Sequence, residues 1–305
     1  MEKKISFQNS NNEHITMSAI IHFPEGFDES KKYSAVVVSH PGGGVKEQTA
    51  GLYAHKLSQH GIITIAYDAS YQGESTGNPR QLENPYIRTE DVSAVIDYLT
   101  TLTYIDINKI GAMGICAGAG YTANAAINDH RIKAVGTVSA VNIGSMFRNG
   151  WDNNVKDADS LPYLLAGAEA RTNDIKTGKI TTMPLAPLRK EDAPNDELAE
   201  AWEYYHTDRC QWSTAPGFAT SKNLTQIITY DAYNKAEAFF TQPLQIIAGS
   251  NAGSKWMSDD LYKKVASKNK SFHIIEGSNH MSLYDVPQYV DEAVSVLVKF
   301  FQSHL

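Results

Sequence analysis

Two rhythms of apolar and polar positions alternate along this chain. Ile15-Thr16-Met17-Ser18-Ala19-Ile20-Ile21-His22-Phe23 alternates at the strand period and breaks at Pro24 and Gly26, as hairpin material does. Ser34-Ala35-Val36-Val37-Val38-Ser39 is continuous and β-branched, the pattern of a strand covered on both faces, and it ends in His40-Pro41-Gly42-Gly43-Gly44. Ala50 to His60 reads as a helix stopped by Gly61, and Ile62 to Asp68 as a second buried strand. Thr89 to Thr101 reads as a helix, with Thr89 as N-cap and Glu90-Asp91 in the first turn. Lys109 to Met113 predicts a strand, the small residues after Gly118 a helix, and Ile132 to Val141 a further strand. The rhythm then stops. Residues 144–239 show no clear strands and concentrate aromatics such as Trp151, Tyr163, Trp202, Tyr205 and Trp212. Pro243 to Ser250 and Phe272 to Glu276 resume the strands, and an amphipathic helix from Val286 to about His304 closes the chain.

Strands alternating with helices predict an α/β fold with a mostly parallel sheet. The interruption predicts a core made of residues 1–143 and 240–305, with a largely helical cap inserted at 144–239. At 305 residues and 42% hydrophobic content, the chain is long enough for this arrangement. The formal net charge is −7 and the pI about 5.8, with no basic block, which argues against nucleic acid as a partner. Two cysteines, Cys116 and Cys210, exclude a disulfide framework and fit a reducing compartment. With no apolar leader and no membrane-length apolar run, the expectation is a soluble cytoplasmic protein that engages no membrane.

The most informative stretch is Gly114-Ile115-Cys116-Ala117-Gly118. It is a Gly-x-nucleophile-x-Gly pattern between a strand and a helix, with sulfur where a hydroxyl is usual. Such a turn strains the central residue and lifts its side chain to the top of the sheet. A thiolate is a strong nucleophile, and a helix N-terminus plus an imidazole lower a thiol pKa from its usual value of about 8.5. Together with His40–Gly44, Asp68-Ala69-Ser70-Tyr71-Gln72-Gly73-Glu74-Ser75 and Gly277-Ser278-Asn279-His280, this stretch resembles the α/β-hydrolase family. The nearer likeness is to its dienelactone-hydrolase-like branch with a Cys nucleophile, which includes proteins similar to fungal polyketide transferases. The resemblance implies an eight-stranded α/β-hydrolase fold and acyl chemistry on esters, lactones or thioesters. It implies no metal and no cofactor.

Cys116 is therefore the candidate nucleophile and His280, at a strand's carboxyl edge, its base. Gly43 and Ala117 are the expected backbone donors to an oxyanion. Tyr71 and Gln72 are pocket candidates. The resemblance places an acid at about Gly253, but Gly249-Ser250-Asn251-Ala252-Gly253-Ser254 has no carboxylate. Three explanations stand open: a Cys–His pair that tolerates the loss, Asn251 orienting the imidazole, or a carboxylate from elsewhere, nearest in sequence Asp259 and Asp260. The last two acids follow Ser258, which reads as a helix N-cap. The expected function is Cys-dependent acyl hydrolysis through an acyl-enzyme, with a small-molecule acyl substrate as partner. Acyl transfer from the same thioester is the alternative. The missing acid also leaves open a catalytically silent fold that binds a ligand. Substrate identity and the question of a homodimer stay open.

Overall fold

The computed structural model describes residues 1–305. In chain order the strands are β1 (Glu2–Gln8), β2 (Thr16–His22), β3 (Tyr33–Ser39), β4 (Ile63–Tyr67), β5 (Ile105–Ile115), β6 (Ile132–Val138), β7 (Thr182–Pro184), β8 (Phe218–Thr220), β9 (Leu244–Gly249) and β10 (Lys270–Ile275). The helices are α1 (Thr49–Ser58), α2 (Pro85–Thr100), α3 (Ala117–Asn128), α4 (Ile143–Asn149), α5 (Leu161–Thr177), α6 (Asp196–His206), α7 (Leu224–Ile227), α8 (Ala236–Phe239), α9 (Lys255–Lys264), α10 (Ser282–Asp285) and α11 (Pro287–His304). None is long and apolar enough to cross a membrane.

Eight strands form one sheet in the order β1-β2-β4-β3-β5-β6-β9-β10. β1 and β2 pair antiparallel, β2 joins β4 antiparallel, and every remaining pair is parallel. This is the α/β-hydrolase architecture. The pleat divides the apolar runs between two cores. Val37, Ile63 and Ile65 face α2 and α3 through Val92, Val95, Leu99 and Tyr121. Val36 and Val38 face α1 and α11 through Tyr53, Leu57, Leu297 and Phe301. Both faces are covered, which is why β3 and β4 read as unbroken apolar runs. Cys116 packs against both cores, at the sheet's carboxyl edge. From β3 the chain turns to β4 on one side and β5 on the other, and a site forms where the order diverges.

Local chemistry moves several boundaries from those the sequence predicts. α2 begins at Pro85, not Thr89, because the Asn84 side chain accepts the N–H groups of Tyr86 and Ile87 and Pro85 occupies the first turn. Thr89 lies inside the helix and shares a hydrogen bond with the Tyr230 hydroxyl. Residues 144–239 are mostly helical, yet β7 and β8 pair antiparallel within them. Three-residue strands are too short to show an alternating pattern.

The elbow rests on glycine at two positions. A Cβ on Gly114 would lie 2.2 Å from the Gly118 carbonyl oxygen, and one on Gly118 would lie 2.4 Å from the Ser39 carbonyl oxygen. Gly118→Ala is therefore expected to cost about 3 kcal/mol, measured as the shift in urea unfolding against wild type; a cost near zero would show that α3 does not press on β3.

Candidate active site

Cys116 has φ 57° and ψ −127°, in the left-handed half of backbone space that L-residues seldom occupy. Its N–H donates to the Val138 carbonyl, and its own carbonyl accepts from Ala119 and Val141. Those bonds tie the strained turn to β6 and α3 and leave the residue lining a cavity. The N–H groups of Ala117 and Gly42 point at the sulfur, and the Tyr284 hydroxyl shares a hydrogen bond with the thiol. The glycine-loop N–H that reaches the sulfur is thus Gly42's, where the sequence suggests Gly43. Gly43 turns with φ 69° and directs its N–H to Glu83 Oε2 at 3.4 Å.

His280 follows β10 and is buried beside Cys116. Its Nδ1 lies 2.6 Å from Ser254 Oγ and its Nε2 3.2 Å from the Tyr284 hydroxyl. The Trp151 ring closes on it edge-on, with centroids 4.8 Å apart. The residue that holds the ring is therefore Ser254. Asn251 is exposed, its N–H donates to the Ser278 carbonyl, and its side-chain oxygen meets Ser250 Oγ and not the imidazole. Asp259 and Asp260 are also excluded. α9 starts at Lys255, so Ser258 is an interior residue and the two acids pair one turn away with Lys255 and Lys264.

A carboxylate does reach these loops, from the insertion. Glu197 Oε1 accepts the His280 N–H at 2.6 Å, and its Oε2 accepts Gly253 N–H at 3.1 Å and Trp151 Nε1 at 2.5 Å. It holds main chain, not the imidazole ring. A Cβ on Gly253 would stand 2.6 Å from Trp151 Nε1, so the indole fills the space beside the position where the resemblance expects an acid.

The glycine loop has its own support. Buried Glu83 accepts from Arg88 Nη1 at 2.9 Å, Tyr121 hydroxyl at 2.7 Å and Gln72 Nε2 at 2.6 Å. Arg88 Nη2 donates to the His40 carbonyl at 2.7 Å. The His40 ring bridges Pro41 O and the Ala69 N–H, which fits a neutral ring orienting the loop. Gln72 therefore lies behind the loop and not in the pocket. Tyr71 lines a separate recess with Asn9, Ile15 and Tyr86. Both part from the sequence expectation for one reason: buried Asp68 accepts from Lys46 and from the Glu74 N–H and curls the loop away from the sulfur.

Burial sets the charge state. It pushes the Cys116 thiol up and the His280 imidazole down to about 3. Thiol and imidazole are both neutral at pH 7, opposite to the lowered thiol that the helix terminus and imidazole suggest from sequence. The cavity around them has a volume of about 70 Å³ and is lined chiefly by apolar groups, including Trp151 and Tyr205 from the insertion. Ser254, Tyr284, Glu197 and the Glu83–Arg88 pair carry no motif of their own. Only Ser254, in the loop that lacks an acid, had a positional signal.

The imidazole has a thermodynamic signature. An unfolded histidine titrates near 6.5, and His280 in the fold near 3. Between those values the unfolded chain binds a proton that the fold refuses. Its contribution is complete above pH 6.5 and is lost as pH falls through that window. At pH 5 the loss is about 2 kcal/mol. Urea unfolding at pH 7 and pH 5 is expected to show a pH dependence smaller by about that amount in His280→Asn; equal slopes would place the imidazole in water.

The family model for serine aminopeptidase, S33, matches residues 31–287. The chain is 68% identical over the whole of both chains to the protein YcjY of Escherichia coli K12. The crystal structure of hypothetical protein PA2218 from Pseudomonas aeruginosa superposes with a TM-score of 0.90 at 27% identity, covering 100% of this chain and 94% of that one. A thiohydrolase of Eupenicillium brefeldianum is 21% identical over 86% of this chain and 84% of its own. With its sheet, its elbow and a match over most of its length, the chain belongs to the serine aminopeptidase S33 family of α/β-hydrolases, and it is a hydrolase.

Proposed function

We propose that this hydrolase acts on carboxylic esters or thioesters through a covalent thioester on Cys116, as in the Cys-nucleophile branch related to dienelactone hydrolases. One observation carries the reading: the Tyr284 hydroxyl contacts both the Cys116 thiol and His280 Nε2, with the Ala117 and Gly42 N–H groups converging on the same sulfur. In the attacking step the thiol proton passes to the Tyr284 oxygen while the Tyr284 proton passes to His280 Nε2. The sulfur bonds the substrate carbonyl carbon, and its oxygen takes the negative charge against Gly42 and Ala117. The step uses the tautomer in which His280 Nδ1–H donates to Ser254 Oγ and Nε2 is the acceptor. Collapse of the intermediate expels the alcohol or thiol, which leaves with the proton from Nε2. Water then repeats the sequence on the thioester and frees the acid. The printed name of the thiohydrolase relative points in the same direction.

Acyl transfer is the second reading. It is favoured by the small apolar chamber, which admits little water and gives a thioester time to meet another nucleophile. Two unbridged cysteines suit a reducing compartment and the cytoplasm.

Brief incubation with p-nitrophenyl acetate, followed by intact mass measurement, is expected to show one acetyl group mapped to Cys116. Cys116→Ala should abolish turnover. Tyr284→Phe should lower kcat about a hundredfold with little change in KM. Turnover that survives Cys116→Ala would overturn the proposal. A neutral pair also makes kcat/KM flat from about pH 5 to 8, whereas a conventional His–acid pair shows an acid limb near 6.5.

A further inference from the structure

The chamber at Cys116 does not end at its own walls. Met146, Trp151, Leu185, Ala186 and Leu198 line both this chamber and an outer recess of about 390 Å³ that opens to solvent. The chamber's roughly 70 Å³ takes a reacting carbonyl and little more. The remainder of any acyl group must run outward between Leu185 and Trp151. Leu185 is seated close on the glycine loop, with its Cδ1 2.7 Å from where a Gly43 Cβ would be.

The outer recess is apolar and carries no charge. Phe147, Val155, Tyr163, Pro184 and Pro187 complete it, and no Lys or Arg lines either cavity. Val155 is 39% exposed and Tyr163 47% exposed, so apolar surface lies open to water along the rim. Beyond Phe147, Tyr163 and Pro184 a further recess begins, and its one charged lining residue is Glu169. An anion entering this path meets no counter-charge and then a carboxylate. A neutral apolar chain covers exposed side chains and leaves no polar group unpaired.

Building on the reading of Cys116 as nucleophile, we infer that the substrate is a neutral ester or thioester with a medium-length apolar acyl chain, held in this recess. An acetyl group would leave the recess empty. A chain that ends in a carboxylate, or an acyl carrier whose phosphates must enter the recess, is rejected. The inserted segment thus selects the acyl part, while the sheet's carboxyl edge supplies the reacting groups.

Two measurements test this and separate it from the nucleophile reading. In the first, kcat/KM is measured for p-nitrophenyl acetate, butyrate, hexanoate and octanoate. It is expected to rise up to about fourfold per added methylene, the ratio for burying one CH₂ completely. Val155→Asp and Tyr163→Asp, both at the solvent rim, should flatten that rise. In the second, Cys116→Ala protein is titrated calorimetrically with methyl octanoate, sodium octanoate and methyl acetate. Methyl octanoate should bind more than tenfold more tightly than either of the others. A flat or falling ester series with turnover that needs Cys116 would overturn the inference and keep the nucleophile. Tight methyl octanoate binding without Cys116-dependent turnover would keep the recess and overturn the nucleophile. Octanoate binding as tightly as its methyl ester would overturn the neutral-chain inference by itself.

Discussion

The arrangement turns on one backbone conformation. Cys116 sits at positive φ with a side chain on it, a state of order 1–3 kcal/mol uphill that persists only when the surroundings enforce it. Enforcement comes from both directions along the chain. The Val138 carbonyl accepts the Cys116 N–H, while the Ala119 and Val141 N–H groups donate to the Cys116 carbonyl. Gly114 and Gly118 let β5, α3 and the end of β3 approach to distances that no side chain would permit. That crowding aims the sulfur out of the sheet. It also brings the Ala117 and Gly42 N–H groups and the Tyr284 hydroxyl to the sulfur.

Much of this was legible in the residues. The continuous apolar runs of β3 and β4, the elbow glycines and the His280 loop are local signals, and each depends on a few neighbouring residues. The contacts that finish the site are not local. Ser254 meets His280 across 26 positions, and Glu197 meets it across 83. No spacing rule links residues on different loops. Gly42 and Gly43 could not be separated by reading because both are glycines in one turn. Only the Glu83 carboxylate, on another loop, decides which N–H is free. Tyr71 and Gln72 failed for a related reason, since buried Asp68 sets the path of their loop from behind.

The absent loop carboxylate changes the chemistry without removing it. A carboxylate on the imidazole would favour the cation and draw the thiol proton across before substrate arrives. Here the ring meets a neutral hydroxyl, and burial opposes charge on both partners. In the proposed mechanism, a neutral resting pair keeps the sulfur in its less oxidisable form until an electrophile is in place. The electrostatic work then falls on the backbone donors, which act on charge as it develops.

The Glu197 strut bears on how such enzymes diversify. Inserted segments of this kind invite exchange between relatives, since they enter and leave the sheet at adjacent strands. In this chain the exchange would not be free. The segment's carboxylate accepts the main-chain N–H groups of His280 and Gly253, and its indole occupies the space that a loop acid would need. A transplanted segment without that pair would leave two buried N–H groups unanswered and the ring without a wall. On the proposed reading, selectivity and competence are thus inherited together, and a graft from a relative must carry Trp151 and Glu197 with it.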